Sequence, residues 1–319
     1  MPLDQKKVLV VFGATGVQGG SVTRAILNDP IAREEFHVRA VTRDPSKPAA
    51  IALAETGAEI IQANLEDKEA LRIALKGAYA VYAVTTFFET FDFAAETKQG
   101  QNVADIAKEL DVKHLIWSGL PNVSKITNNK LTRVLHFDSK ARVTDYIRSL
   151  GIPHTIVHIG TYSKIVIDAL AHLSPESRSY GMFWPEPTNE TTRLPIIDEY
   201  IDIGKFIKAI LLKPEQSLGR QLNLAEKWYT IQELVTIMRD LSLDVVFQSL
   251  DQETFKKGLT LKGVPDIFQE DLVQVMQYVN GYNLFGGGDI EESHQIVGGR
   301  LSSFREALER SPDFKKLLE

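Results

Sequence analysis

In the segment Gly13-Ala14-Thr15-Gly16-Val17-Gln18-Gly19-Gly20, the three glycines at 13, 16 and 19 stand at a spacing that lets a main chain turn sharply, approach an anion and enter a helix. Gly13 permits the tight turn, Gly16 brings the backbone near phosphate oxygens with no Cβ in the way, and Gly19 lets the helix pack on the preceding strand. The amides from Thr15 through Val17 and Gln18 then lie at a helix N-terminus, facing the anion. The chemistry that needs this arrangement is retention of a dinucleotide pyrophosphate. A glycine triplet alone is a weak signal, and its flanks strengthen it. Val8, Leu9, Val10, Val11 and Phe12 form a continuous apolar strand, and Val22, Ala25, Ile26 and Leu27 give the next segment a helical stripe.

The choice of dinucleotide is made at the end of the second strand, where a carboxylate accepts from a ribose 2′-hydroxyl and a cation receives a 2′-phosphate. The chain offers Thr42-Arg43-Asp44-Pro45-Ser46-Lys47 there. Arg43 presents a planar fork suited to phosphate, with Lys47 as a second cation and Thr42 at the strand end. Asp44 is read as capping the next helix together with Ser46. A charge-assisted bond from Arg43 of about 1.5 to 3 kcal/mol favours NADP over NAD by roughly tenfold to a hundredfold. The cofactor expected is therefore NADP, as NADP+ or NADPH.

Those residues must be carried by a sheet. Strand-like and helix-like runs alternate after the first unit: His37 to Thr42, a helix near Lys47 to Thr56, Glu59 to Gln62, and a helix near Lys68 to Leu75. There follow Ala80 to Val84, a helix near Ala94 to Leu110, His114 to Trp117, a helix near Arg133 to Leu150, and Thr155 to Ile159. This cadence implies an α/β, Rossmann-type doubly wound parallel sheet with both faces covered and ligands at the carboxyl ends of its strands. Past Gly160 the rhythm degrades into a stretch punctuated by Pro175, Pro185, Pro187 and Pro195. Helices near Tyr200 to Leu212, Ile231 to Leu241 and Ser302 to Arg310 follow, the last preceded by Gly286-Gly287-Gly288 and Gly298-Gly299, read as mobile loops. We therefore divide the chain into a dinucleotide-binding domain over residues 1–160 and a smaller, irregular α+β lobe over 161–319, interleaved with the first.

Composition removes several function classes. The formal net charge of -6 argues against direct nucleic-acid binding, which depends on clustered cations. Cysteine is absent, so disulfides and thiol chemistry are excluded. The seven histidines are scattered, and the pair His154 and His158 lies in a strand with no accompanying glutamate, so no metal site is expected. Apolar runs such as Ile207 to Leu212 are far short of a membrane span, and the opening residues Met1 to Lys7 carry no secretory h-region. A cytoplasmic location is expected, with the nucleus as the alternative, and oligomeric state is left open.

The set formed by Gly13 to Gly20, Val41-Thr42-Arg43-Asp44-Pro45, Trp117-Ser118-Gly119-Leu120, His136-Phe137-Asp138-Ser139-Lys140, Gly151-Ile152-Pro153 and Ile196-Ile197-Asp198 resembles the NmrA-like family. That family is an atypical branch of the short-chain dehydrogenase/reductase superfamily. The third strand departs from its pattern, ending in Asn64-Leu65 where relatives commonly carry an aspartate beside the adenine. Catalytic members of the superfamily place a lysine four residues after a tyrosine. None of the nine tyrosines here has that partner, and the matching positions hold His136 and Lys140. The resemblance implies two functions. One is an NADP-binding regulator or redox sensor, with weak or no dehydrogenase activity, that acts through protein partners such as GATA-type transcription factors. The other is an NADPH-dependent reductase of the isoflavone reductase type, which also lacks the tyrosine, acting on a small carbonyl or enone with His136, Lys140 and Ser118 as its catalytic candidates. Thr85, Thr86, Phe87 and Phe88 are expected to border adenine and ribose, the phenylalanines being equally suited to the core, and Lys140 to anchor the nicotinamide ribose. Gly160 and Tyr162 are expected beside the nicotinamide, and Phe183 and Trp184 along a substrate or partner cleft.

Overall fold

Successive residues of the first strand feed two different cores, because side chains alternate across a strand. Leu9 and Val11 pack on one side with the helices Val17–Leu27 and Asp202–Leu212, whereas Val10 and Phe12 pack on the other with Lys68–Leu75, Phe93–Glu109 and Leu135–Leu150. A strand buried on both faces reads as an uninterrupted apolar run, which is why Lys7 to Phe12 was legible.

The computed structural model describes residues 6–174 and 176–319; Met1–Gln5, ahead of the first strand, and Pro175, in the proline-punctuated stretch, lie outside the described residues. Its strands are β1 (Lys7–Val11), β2 (Phe36–Thr42), β3 (Glu59–Gln62), β4 (Ala78–Ala83), β5 (His114–Gly119), β6 (His154–Ile159), β7 (Thr161–Tyr162), β8 (Leu170–His172), β9 (Tyr180–Pro185), β10 (Arg193–Ile197), β11 (Gln221–Leu224), β12 (Lys227–Thr230) and β13 (Val245–Leu250). The main sheet has seven strands in the order β11-β6-β5-β4-β1-β2-β3. Every pairing in it is parallel. The strand order reverses between β1 and β4, and a crevice opens at such a switch point. This is a Rossmann-type sheet.

The second half of the chain is woven into the first. β11 pairs with β6, an addition to the six strands expected from periodicity. Its sequence, Gln-Leu-Asn-Leu, is too short and too polar to announce a strand. The Asp202–Leu212 helix lies against Val17–Leu27 at a close approach where a Cβ on Gly204 would sit 2.3 Å from the Ser21 carbonyl oxygen. Two three-stranded sheets, β12-β10-β7 and β13-β9-β8, complete the lobe around a third core that includes Phe137, Met182, Trp184, Tyr229, Met276 and Phe304. Two helices, Gln252–Leu261 and Asp266–Tyr282, occupy a span with no expected element. Trp184 packs into this core with 8% exposure, so the expectation that it lines a cleft is corrected; Phe183, beside it on β9, is half-buried. No helix among the described residues is long and apolar enough to cross a membrane, and no group of metal-ligating side chains is found among them.

Two histidines in this sheet are buried and uncharged. His158 lies in β6 with neither ring nitrogen hydrogen-bonded, and burial pulls its pKa down to about 3. His114 bonds the Thr155 hydroxyl, and burial lowers it to about 4. Because the unfolded chain binds these protons near pH 6.5, the stability they contribute is complete above that value and lost as pH falls toward the folded values. Burial acts oppositely on Asp138, Glu199, Asp202 and Glu226, whose carboxyls it raises. A difference between variant and parent isolates the histidine. His158→Leu should remove about 2 kcal/mol from the loss of stability between pH 7 and pH 5, read by urea unfolding at each pH; unchanged slopes would show that His158 is not held neutral.

Candidate functional site

The glycine loop runs from the end of β1 into the Val17–Leu27 helix. Gly13 adopts φ +61°, and its carbonyl accepts from the Gly16 amide at 2.9 Å, closing the turn. A Cβ on Gly19 would lie 2.4 Å from the carbonyl oxygens of both Phe12 and Gly13, so only glycine brings the helix this close. Gly16 is the N-cap, with no side chain capping the helix and no acidic residue in its first turn. The leading amides of such a helix have no intrahelical acceptor and carry its positive end. Gly13, Thr15 and Gly16 are exposed, with Val17 and Gln18 half-buried. An exposed, uncapped helix start above a glycine turn fits an anionic pyrophosphate.

Beside it, Arg43 follows β2 and is exposed, its guanidinium bonded bidentately to Glu89 at 2.7 Å through each nitrogen. Gln62 fixes the Arg43 carbonyl at 2.9 Å, while Thr42 turns its hydroxyl toward Asp44. Asp44 does not cap the next helix with Ser46. The helix Pro48–Glu55 has Lys47 at its N-cap and no side-chain cap, while Asp44 accepts from the Ser46 amide and hydroxyl, closing a local turn. These bonds hold the Asp44 carboxyl below its ordinary range, with Lys47 adding a smaller electrostatic pull. Asn64 is exposed at the end of the β3 loop, and the Leu65 carbonyl accepts from Asn102 at 3.0 Å.

At the other side of β1, Gln18 ties three elements together. Its Oε1 accepts from the Tyr82 hydroxyl of β4 at 2.6 Å and from the Ser118 hydroxyl of β5 at 2.8 Å, and its Nε2 donates to the Tyr162 hydroxyl of β7. Burial pushes both phenols well above their ordinary pKa, so Tyr82 and Tyr162 keep their protons. Gly160 stands where the two lobes meet: its amide donates to the Leu224 carbonyl at 2.8 Å, and a Cβ there would be 2.4 Å from the Pro195 carbonyl oxygen.

His136 and Lys140 share a face of the Leu135–Leu150 helix but have separate partners. Lys140 is buried and its Nζ reaches the Thr85 carbonyl and hydroxyl, each at 2.9 Å, and Glu96 at 2.5 Å, which uses all three of its donors. Burial lowers the lysine's pKa and Glu96 opposes that effect. Glu96, 1% exposed, also accepts from the hydroxyls of Thr85 and Ser139. His136 Nδ1 lies 2.5 Å from an Asp271 carboxylate oxygen, a close contact without the alignment of a hydrogen bond. Asp271 in turn accepts from the Leu135 and His136 amides, capping the helix from the second lobe. Rings of Phe87, Phe88, Phe137 and Phe268 surround the imidazole at 4.7 to 6.2 Å. Phe87 is buried in that cluster, while Thr86 and Phe88 are exposed.

Sequence reasoning did not single out Tyr82, Glu89, Glu96 or Asp271. The signal for two of them was present: Tyr82 is a phenol inside an apolar strand, and Glu96 is an acid on the buried face of a helix. Asp271 gave none, because it meets His136 from another lobe.

A doubly wound sheet whose switch point carries an uncapped helix start and a glycine turn defines a Rossmann-type protein with an anion cradle. The chain belongs to the NmrA-like family, whose sequence model matches residues 5–308. It is 26% identical over 294 residues to the NmrA-like family domain-containing oxidoreductase hkm9 of Aspergillus hancockii, covering 88% of this chain and 85% of that one. In fold it resembles NmrA, a negative transcriptional regulator crystallised with NADP, at a TM-score of 0.74 and 22% identity over 95% of this chain and 94% of NmrA. It also resembles the Citrobacter sp. triphenylmethane reductase complexed with NADP(H), at a TM-score of 0.74 and 19% identity over 98% and 100% of the two chains.

The buried Lys140–Glu96 pair makes a stability prediction. Glu96→Gln leaves an ammonium buried without its counter-charge and should cost about 3 to 5 kcal/mol in urea unfolding, whereas Glu96→Leu with Lys140→Met should recover most of that loss. A cost below about 1 kcal/mol for Glu96→Gln would show that solvent reaches the pair.

Proposed function

We propose that this chain is an NADP(H)-binding NmrA-like protein whose bound dinucleotide is read by a protein partner, with weak or no dehydrogenase activity. The observation that carries this reading is the occupation of both residues at the superfamily's catalytic positions. Lys140 spends its donors on Glu96 and Thr85, and His136 is paired with Asp271 inside an aromatic cage. Neither is free to pass a proton to a substrate carbonyl.

In this reading the amides of Val17 and Gln18, with Thr15, Gly13, Gly16 and Gly19, hold the pyrophosphate, and Arg43 with Lys47 receives the 2′-phosphate. Asn64, Leu65 and Thr86 border the adenosine side, and Gly160, Tyr162 and Lys140 the nicotinamide side; Thr85 and Phe87, expected beside the adenosine, are instead buried against Lys140 and His136. The dinucleotide, when bound, supplies a hydride carrier whose oxidation state alters its charge. The protein's part is to exclude water and to present a surface that depends on what is bound. A cytoplasmic or nuclear location and transcription factors as partners belong to the same proposal.

A reductase reading has its own support, because relatives such as hkm9 are named oxidoreductases. Tyr162 is the residue that favours it: its oxygen accepts from Gln18, so its own proton remains available to a carbonyl or enone placed beside Ser118.

Calorimetric titration with NADP and NAD tests the binding. NADP should bind more tightly, and Arg43→Ala should weaken NADP by roughly tenfold to a hundredfold with little effect on NAD; preference for NAD would remove the role of Arg43. Incubation with NADPH and a panel of aldehydes, quinones and enones should give no robust loss of nicotinamide absorbance. Sustained turnover, abolished by Tyr162→Phe, would instead support the reductase.

A further inference from the structure

Arg43 and Glu89 lie on opposite sides of β1. Arg43 follows β2 and Glu89 follows β4, both neighbours of β1, so their bidentate pair crosses the carboxyl end of the central strand beside the glycine turn. Both partners are held from behind. The Arg43 backbone is fixed by Gln62, and Glu89 closes the one-turn helix Phe87–Glu89, whose Phe87 is buried. Phe88 packs against Phe268 with ring centroids 4.9 Å apart, and the following Phe91 packs on Phe87 and Phe268 at a positive φ of 52°. An aromatic residue seldom adopts that backbone conformation unless its surroundings impose it. The glutamate therefore sits on an anchored turn.

We propose that Glu89 determines the selectivity between phosphorylated and unphosphorylated dinucleotides, by holding the Arg43 guanidinium that a 2′-phosphate must take over. The inference rests on the reading of Arg43 given above. A guanidinium has one fork, and a carboxylate and a phosphate both address it bidentately. The incoming phosphate displaces the carboxylate from that fork and leaves Glu89 unpaired beside a second anion. NAD brings no group that competes. Glu89 thus lowers the affinity for NADP more than that for NAD, and keeps Arg43 poised across the mouth until a phosphate arrives.

The test is a double-mutant cycle on the full chain, titrated with NADP and with NAD at fixed ionic strength. Glu89→Gln should tighten NADP binding by about two- to fivefold, the equivalent of an exposed ion pair, with a smaller change for NAD. The gain should vanish in the Arg43→Ala background. If Arg43→Ala weakens NADP but Glu89→Gln leaves the ratio of the two affinities unchanged or lowers it, the role of Glu89 is overturned and that of Arg43 stands. If Arg43→Ala leaves NADP binding unchanged, both readings fall together.

Discussion

The contact on which this molecule depends is the approach of Gly19 to the carbonyls of Phe12 and Gly13. At that distance a single Cβ would force the Val17–Leu27 helix away from β1. The helix start would then leave the crevice and its unpaired amides would point into solvent. The same helix also carries Gln18 and packs on Asp202–Leu212, which returns from the second half of the chain to cover the sheet. One glycine therefore positions the anion cradle, the amide that links β4, β5 and β7, and the seam between the lobes.

Many polar groups at the heart of the site are engaged within the protein, and this shapes what it can do. Gln18 joins Tyr82, Ser118 and Tyr162, Glu96 joins Lys140, Thr85 and Ser139, and Asp271 joins His136 and the start of its helix. Networks of this kind in a low-dielectric interior rigidify their surroundings, since a member left without its partner is costly. A rigid floor beneath an exposed cradle suits retention of a ligand more than proton traffic. The Tyr162 hydroxyl, which accepts from Gln18 and keeps its proton, lies at the junction of the lobes and outside the histidine and lysine positions.

Local rules made much of the fold legible. Continuous apolar strands buried on both faces, glycine at a turn with positive φ, and helical stripes between them located the first six strands to within two residues at each end. What those rules could not supply were features made by distant chain. β11 is recognisable as a strand only once β6 lies beside it, and Trp184, read from its flanking glycine and prolines as a cleft residue, is buried by helices from later in the sequence. At the site, residue types at the ends of β1, β2 and β4 could be chosen from topology alone. Their present partners could not, because Glu89, Glu96 and Asp271 reach Arg43, Lys140 and His136 across 44 to 135 positions of sequence.

The central claim is that a phosphorylated dinucleotide lies across the end of β1 with its pyrophosphate on the helix amides and its 2′-phosphate on Arg43. A crystal structure of the protein grown with NADP tests it most directly. The account predicts phosphate oxygens within hydrogen-bonding distance of the Val17 and Gln18 amides and the Arg43 guanidinium turned from Glu89 to the 2′-phosphate. Density for the dinucleotide elsewhere, or an Arg43 still paired with Glu89 beneath a bound NADP, would contradict it.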